Sequence, residues 1–144
     1  MILRDWKKED NAQIVELEKR CFSDPWSLSD FESSCAFPFF EGVVLEDDGV
    51  VVGYACALVL FEDGDIANVA VAPEYRKQGF GKRIFQALVE RSFARGAERL
   101  FLEVRESNLP AIALYTGFGF RQIAVRKGYY SDGENALVMQ KDLK

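Results

Sequence analysis

Histidine is absent from the 144 residues, which excludes histidine-ligated zinc and a histidine general base. Cysteine is scarce. Cys21, Cys35 and Cys56 are odd in number and share no metal-ligand spacing, so neither a disulfide framework nor a resident metal is expected, and the implied compartment is reducing. Long apolar runs are missing as well: no uncharged stretch approaches the roughly 18 residues of a spanning helix. Met1-Ile2-Leu3-Arg4-Asp5 lacks the apolar core of a signal peptide, so a cytoplasmic location without membrane contact is expected. Basic residues are the minority, 18 against 23 acidic, giving a net charge of −5. That balance argues against direct nucleic-acid binding and favours a basic partner. What remains is rich in core-forming residues, 49% hydrophobic and 13% aromatic, without repeats or linkers. One domain spanning residues 1–144, monomeric or weakly oligomeric, is the expectation.

Residues Ile2–Trp6 read as a short strand, and Asp10-Asn11-Ala12-Gln13 as a helix cap with a returning Gln. The helix that follows spaces Ile14, Leu17 and Cys21 for burial, widened by Val15 and Phe22, and is expected to turn Glu16, Glu18, Lys19 and Arg20 to solvent. Pro25 breaks it. Ser27 then caps a second helix, with Trp26 and Phe31 at hydrophobic-staple positions. Phe39–Glu46, Val50–Phe61 and Asp65–Val71 form an antiparallel meander joined at Asp47-Asp48-Gly49 and Glu62-Asp63-Gly64. A helix from Gly79 to about Arg95 buries Ile84, Phe85, Leu88, Val89 and Phe93 and ends at Gly96. By the crossover rule, strand Arg99–Arg105 runs parallel to the strand before that helix. Asn108 or Ser107 caps a short helix with Pro110 in its first turn and Gly117 as its stop. Phe118–Val125 and Ala136–Lys141 close the sheet around Ser131-Asp132-Gly133. The fold class is therefore α/β with α+β character: a mixed central sheet with flanking helices.

The chain is organised around Val69-Ala70-Val71-Ala72-Pro73-Glu74-Tyr75-Arg76-Lys77-Gln78-Gly79-Phe80-Gly81-Lys82, where a strand meets a basic glycine turn and then a helix. Gly79 and Gly81 remove Cβ atoms that would hold a ligand away from the backbone, and the helix start offers unpaired N–H groups and a positive dipole end. That suits a diphosphate; a surface turn with solvated charges has the same composition. A nucleotide-hydrolysing P-loop fits poorly, because Arg83 follows Lys82 where a Ser or Thr metal ligand is required. Glu103 interrupts an apolar strand. Two readings stand beside each other: an exposed carboxylate paired with Arg105, or a buried one whose raised pKa suits a general base. Tyr115 is a core aromatic or a phenol aimed at the sheet, and Asn108 a cap or a ligand contact. Cys56, in an apolar strand, reads as an inert core thiol.

The order of elements around Arg76-Lys77-Gln78-Gly79-Phe80-Gly81 resembles the GCN5-related N-acetyltransferase family over essentially the whole chain. Four further stretches are similar to its bacterial members that acetylate the N-terminal alanine of a small-subunit ribosomal protein. They are Phe22-Ser23-Asp24-Pro25-Trp26-Ser27, Asn68-Val69-Ala70-Val71, Leu102-Glu103-Val104-Arg105 with Ser107-Asn108, and Ala113-Leu114-Tyr115 to Gly119-Phe120. Gly128-Tyr129-Tyr130 with Asp132-Gly133-Glu134-Asn135-Ala136 resembles the region that N-terminal acetyltransferases place beside the substrate. The resemblance implies acetyl-CoA held between two splayed parallel strands, with Val69, Ala70 and Val71 along its thioester arm, Arg76, Lys77, Gln78, Gly79, Phe80, Gly81 and Lys82 at the diphosphate, and Asn108 as a further contact. It implies Glu103 as general base, Tyr115 as the acid for the departing thiolate, a backbone N–H of the Val69 strand at the developing oxyanion, and Tyr129 and Tyr130 beside the acceptor. An acetyltransferase for a small amine shares every coenzyme feature, and a silent acetyl-CoA sensor would keep the glycine turn without needing Glu103 and Tyr115.

Overall fold

In the computed structural model, which describes residues 1–143, seven strands form one mixed sheet in the order β1-β2-β3-β4-β5-β7-β6. The strands are β1 (Ile2–Asp5), β2 (Phe40–Asp47), β3 (Val50–Leu60), β4 (Asp63–Val71), β5 (Arg99–Arg105), β6 (Arg121–Arg126) and β7 (Ala136–Asp142). The helices are α1 (Asn11–Cys21), α2 (Leu28–Cys35), α3 (Phe80–Ala94) and α4 (Leu109–Gly117). The meander and the parallel β4–β5 crossover are present as the sequence predicts.

Successive residues of a strand point to opposite faces, and β3 shows which helices lie where. Tyr54 reaches Glu18 of α1 and packs on Phe31 of α2, whereas a Cβ on Gly53 would stand 2.6 Å from Ile84 Cδ1 of α3. So α1 and α2 cover one face and α3 the other. The α3 stripe Ile84, Phe85, Leu88 and Val89 is buried as its spacing requires, each such side chain contributing about 1.5–3 kcal/mol. Phe85 also carries α4, with its ring 5.0 Å from that of Tyr115.

Local chemistry accounts for the element ends. Ser27 caps α2 by accepting from Asp30 N at 3.1 Å while Asp30 Oδ2 accepts from Ser27 N, and the Trp26 and Phe31 rings meet at 5.2 Å as a staple. Asp48 and Gly49 both have positive φ, the type I′ turn that matches strand twist.

Several expectations are corrected. The Asp10–Gln13 capping box does not form: Asp10 pairs with Arg4, and Gln13 Oε1 instead accepts from Val51 N at 2.9 Å, pinning α1 to β3. Trp6 lies beyond β1, in the core. The second hairpin turns at Phe61 and Glu62, with Phe61 at φ 55, so Asp63 and Gly64 already belong to β4. Gly117 lies inside α4; the chain leaves it at Phe118 and Gly119, where φ is 91, and β6 starts only at Arg121.

Candidate active site

The sheet opens in its middle. β4 and β5 pair only from Asp63–Asp65 to Arg99–Phe101, and both continue beyond. On β4 the register against β3 slips just past that point: Ala57 faces Ile66 and Cys56 faces Asn68, leaving Ala67 as an extra, bulged residue. A bulge bends its strand and raises its twist, which turns β4 away from β5. The main chain of Val69, Ala70 and Val71 therefore borders the opening with its β5-side groups unpaired in the sheet.

β4 leads directly into the glycine turn. Gly79 is left-handed at φ 84 and starts α3 with no side-chain cap, so the first N–H groups of α3 stay available. Lys77 is also left-handed, at φ 63, which winds the turn tightly. The two glycines differ in need: Gly79 requires its φ, whereas a Cβ on Gly81 would meet only Val71 Cγ2, at an ordinary 3.7 Å. Protein packing does not demand glycine at 81. Lys77, Gln78 and Lys82 are exposed around it, while Arg76 folds back, its Nε donating to Val71 O at 3.1 Å.

On the β5 side, Glu103 is not buried as one reading expected. It is exposed and paired with Arg126 Nε at 3.0 Å, not with Arg105, because Leu102 and Val104 take the core-facing positions and alternation turns 103 outward. Tyr115 is buried against Phe85 and Phe120, and burial, with the Tyr130 phenol adding, pushes its hydroxyl up to about 12. Tyr129 and Tyr130 pack edge to face at 5.1 Å. Burial and then the nearby Glu103 carboxylate raise Tyr129; Tyr130 is pushed up to about 12 by burial, against the opposing pull of Arg105. Glu103, Tyr129 and Tyr130 thus lie within electrostatic reach of one another, and Tyr130 within reach of Tyr115. A phenol held protonated can give up a proton, and the neighbouring carboxylate can take one.

Residues 11–120 match the acetyltransferase (GNAT) family. The chain belongs to that family. A Bacillus subtilis relative, provisionally named a ribosomal protein bS18-alanine N-acetyltransferase, is 39% identical over 139 residues, 95% of this chain and 92% of its own. The ribosomal protein bS18-alanine N-acetyltransferase of Escherichia coli K12 is 35% identical over 90% of this chain and 89% of its own. A crystal structure of the ribosomal-protein-S18-alanine N-acetyltransferase from Escherichia coli superposes with a TM-score of 0.92 at 31% identity, covering 99% of this chain and 94% of that one. No helix among the described residues is long and apolar enough to cross a membrane.

Within this acetyltransferase Asn108 is a cap, its Oδ1 accepting from Ala111 N at 3.2 Å. Cys56 is fully buried, and burial pushes its thiol up, so it stays an inert core thiol. One cluster escapes the sequence reading. Glu18, expected at the surface, is 1% exposed and accepts from Tyr54 OH, from Asn68 Nδ2 at 2.9 and 3.1 Å, and from Trp26 N at 3.0 Å. It ties α1, the elbow before α2, β3 and β4 together next to the bulge. Its position was legible: Ile14, Leu17, Glu18 and Cys21 stand at i, i+3, i+4 and i+7, the inward stripe.

Proposed function

We propose that this protein transfers the acetyl group of acetyl-CoA to the N-terminal α-amine, with alanine first, of a small-subunit ribosomal protein in the cytoplasm, as a RimI-type enzyme. The observation that carries the reading is the opening between β4 and β5 beyond Asp65 and Phe101, from which the glycine turn continues on one strand and Glu103 stands on the other. The names of the relatives support the acceptor. The residues fit the coenzyme: Gly81 leaves a gap that packing does not require, and α3 begins uncapped.

When bound, acetyl-CoA supplies an activated acetyl thioester. Arg76–Lys82 would hold its diphosphate with main-chain N–H groups and the exposed Lys77 and Lys82 side chains, the main chain of Val69, Ala70 and Val71 would line its thioester arm, and Asn108 would offer Nδ2 while Oδ1 caps α4. An α-amine has a pKa of about 8 and is mostly protonated at neutral pH, so Glu103 takes its proton before attack. Tyr115, kept protonated by burial, delivers its phenolic proton to the departing sulfur. Tyr129 and Tyr130 wall an acceptor groove with the Trp26 elbow. The net charge of −5 draws in a basic chain, an attraction that fades as salt shortens the screening length from about 10 Å at 0.1 M.

Mass spectrometry after incubation with acetyl-CoA tests this on an Ala-initiated basic peptide, the same peptide with its α-amine blocked, and spermidine, across a salt series. The first alone should be acetylated well, less so at high salt. Preference for spermidine, or lysine acetylation of the blocked peptide, would replace this reading with a small-amine or lysine acetyltransferase.

A further inference from the structure

We propose that Arg105 is a positioning residue that holds the two walls of the acceptor groove at a fixed separation, and so governs how the acceptor chain binds rather than how the acetyl group moves. This rests on the acceptor reading above.

Arg105 ends β5, two residues beyond Glu103 and on the same face. Its Nη1 donates to Asp132 Oδ2 at 2.8 Å and to Glu134 Oε1 at 2.9 Å, both in the loop between β6 and β7. Its Nη2 donates to Ser23 Oγ at 3.1 Å and Asp24 Oδ2 at 3.3 Å, in the elbow between α1 and α2. Tyr130 covers the guanidinium face, 4.1 Å from the ring centroid. Ser131 Oγ donates directly to Asp24 Oδ1 at 2.5 Å, so the seam between the two loops closes around one cation, while Ser107 N, in the turn after β5, donates to Glu134 Oε2 at 2.9 Å.

Three properties make this a clamp for the groove rather than support for the sheet. None of the side-chain partners of Arg105 belongs to a strand, and β5 is already paired with β7 along its whole length. Asp24, Asp132 and Glu134 would repel one another without a cation between them, whereas a planar fork with five donors satisfies both sides at once. A lysine, as a single point charge, serves one wall at a time. Tyr130, a wall of the groove, is itself held by this cation, so the clamp fixes the acceptor wall relative to β5 and Glu103.

The test compares wild type with Arg105→Ala and Arg105→Lys by amide hydrogen exchange without substrates and by steady-state kinetics on the Ala-initiated peptide. In Arg105→Ala, exchange should rise about tenfold or more in both residues 22–27 and residues 128–135 while β3 keeps its protection. The peptide KM should rise about tenfold with kcat within about threefold and acetyl-CoA affinity unchanged. Arg105→Lys should fall between the two. Wild-type protection in both loops, loosening of only one, or a fall in kcat at unchanged KM would overturn the proposal. So would a loss of β3 protection, which marks a general structural role. Should Arg105→Ala fail to fold, Arg105→Lys carries the same comparison. If wild type leaves the peptide unmodified, the acceptor reading fails, and the exchange measurement, which contains no acceptor, still decides the clamp.

Discussion

Replacing Glu18 by alanine should destabilise the protein strongly, and the structure says by how much. The carboxylate is 1% exposed and is the acceptor for three donors: Tyr54 OH, Asn68 Nδ2 and Trp26 N. A buried donor left unsatisfied costs about 1–3 kcal/mol, so three of them set an upper range of about 3–9 kcal/mol. Two effects bring the figure down. Trp26 is only half-buried, so water can reach its N–H, and removing the carboxylate ends the cost of desolvating a charge. The expected loss is about 3–5 kcal/mol, a large part of a typical total of about 5–15 kcal/mol. At about 2–4 °C per kcal/mol, Tm should fall by about 6–20 °C. Glu18→Gln keeps the volume but turns an N–H2 toward donors, leaving at least one unpaired, and should cost about 1–3 kcal/mol. Urea titration with an unchanged slope is the assay, since it separates stability from a change in the unfolded state. A loss under about 1 kcal/mol for Glu18→Ala, or equal losses for both variants, would refute the idea that this carboxylate is the acceptor hub.

Gly81→Val should weaken acetyl-CoA binding about tenfold or more with Tm nearly unchanged, because the protein leaves room for a Cβ at 3.7 Å and the side chain would intrude on the proposed diphosphate site; calorimetry showing wild-type affinity would remove the cradle. Tyr115→Phe should lower kcat about 100-fold while coenzyme affinity stays, the range for loss of a general acid. In wild type, kcat should hold through pH 10 and fall only as pH rises toward the Tyr115 value of about 12, and an alkaline limb at the ordinary tyrosine value would take Tyr115 out of that role. Burial opposes ionisation of Asp10, but the Arg4 guanidinium and the Lys7 N–H outweigh it and hold the carboxyl below its ordinary value. Its contribution to stability is present above the ordinary carboxylate pKa of about 4 and is lost as pH falls through the depressed one. Acid unfolding of Asp10→Asn should therefore show a shallower loss at low pH than wild type.

By itself the sequence determined the elements whose causes are local. Ser27 with Asp30, Trp26 with Phe31, the Asp48-Gly49 turn, the α3 stripe and the Gly79 turn each act within a few residues, so periodicity and capping chemistry read them directly. The turn Arg76–Lys82, proposed above to hold the coenzyme, and the proposed pair Glu103 and Tyr115 stood out as well, as residue types at particular places in the order of strands and helices. Tertiary structure decided what depends on partners far along the chain. Glu18 looks like one more surface charge until Tyr54 and Asn68, 36 and 50 residues away, arrive to pay its desolvation with hydrogen bonds. Glu103 faces out because its neighbours claim the core, and its partner proved to be Arg126 rather than Arg105. Arg105 instead meets the elbow and the β6–β7 loop, 81 and 27 residues distant, a convergence that only the folded chain creates. The opening between β4 and β5 is likewise a tertiary fact: one residue, Ala67, without a partner on β3 turns a continuous parallel pair into a cleft, and no side chain in the sequence announces which residue a neighbouring strand will skip.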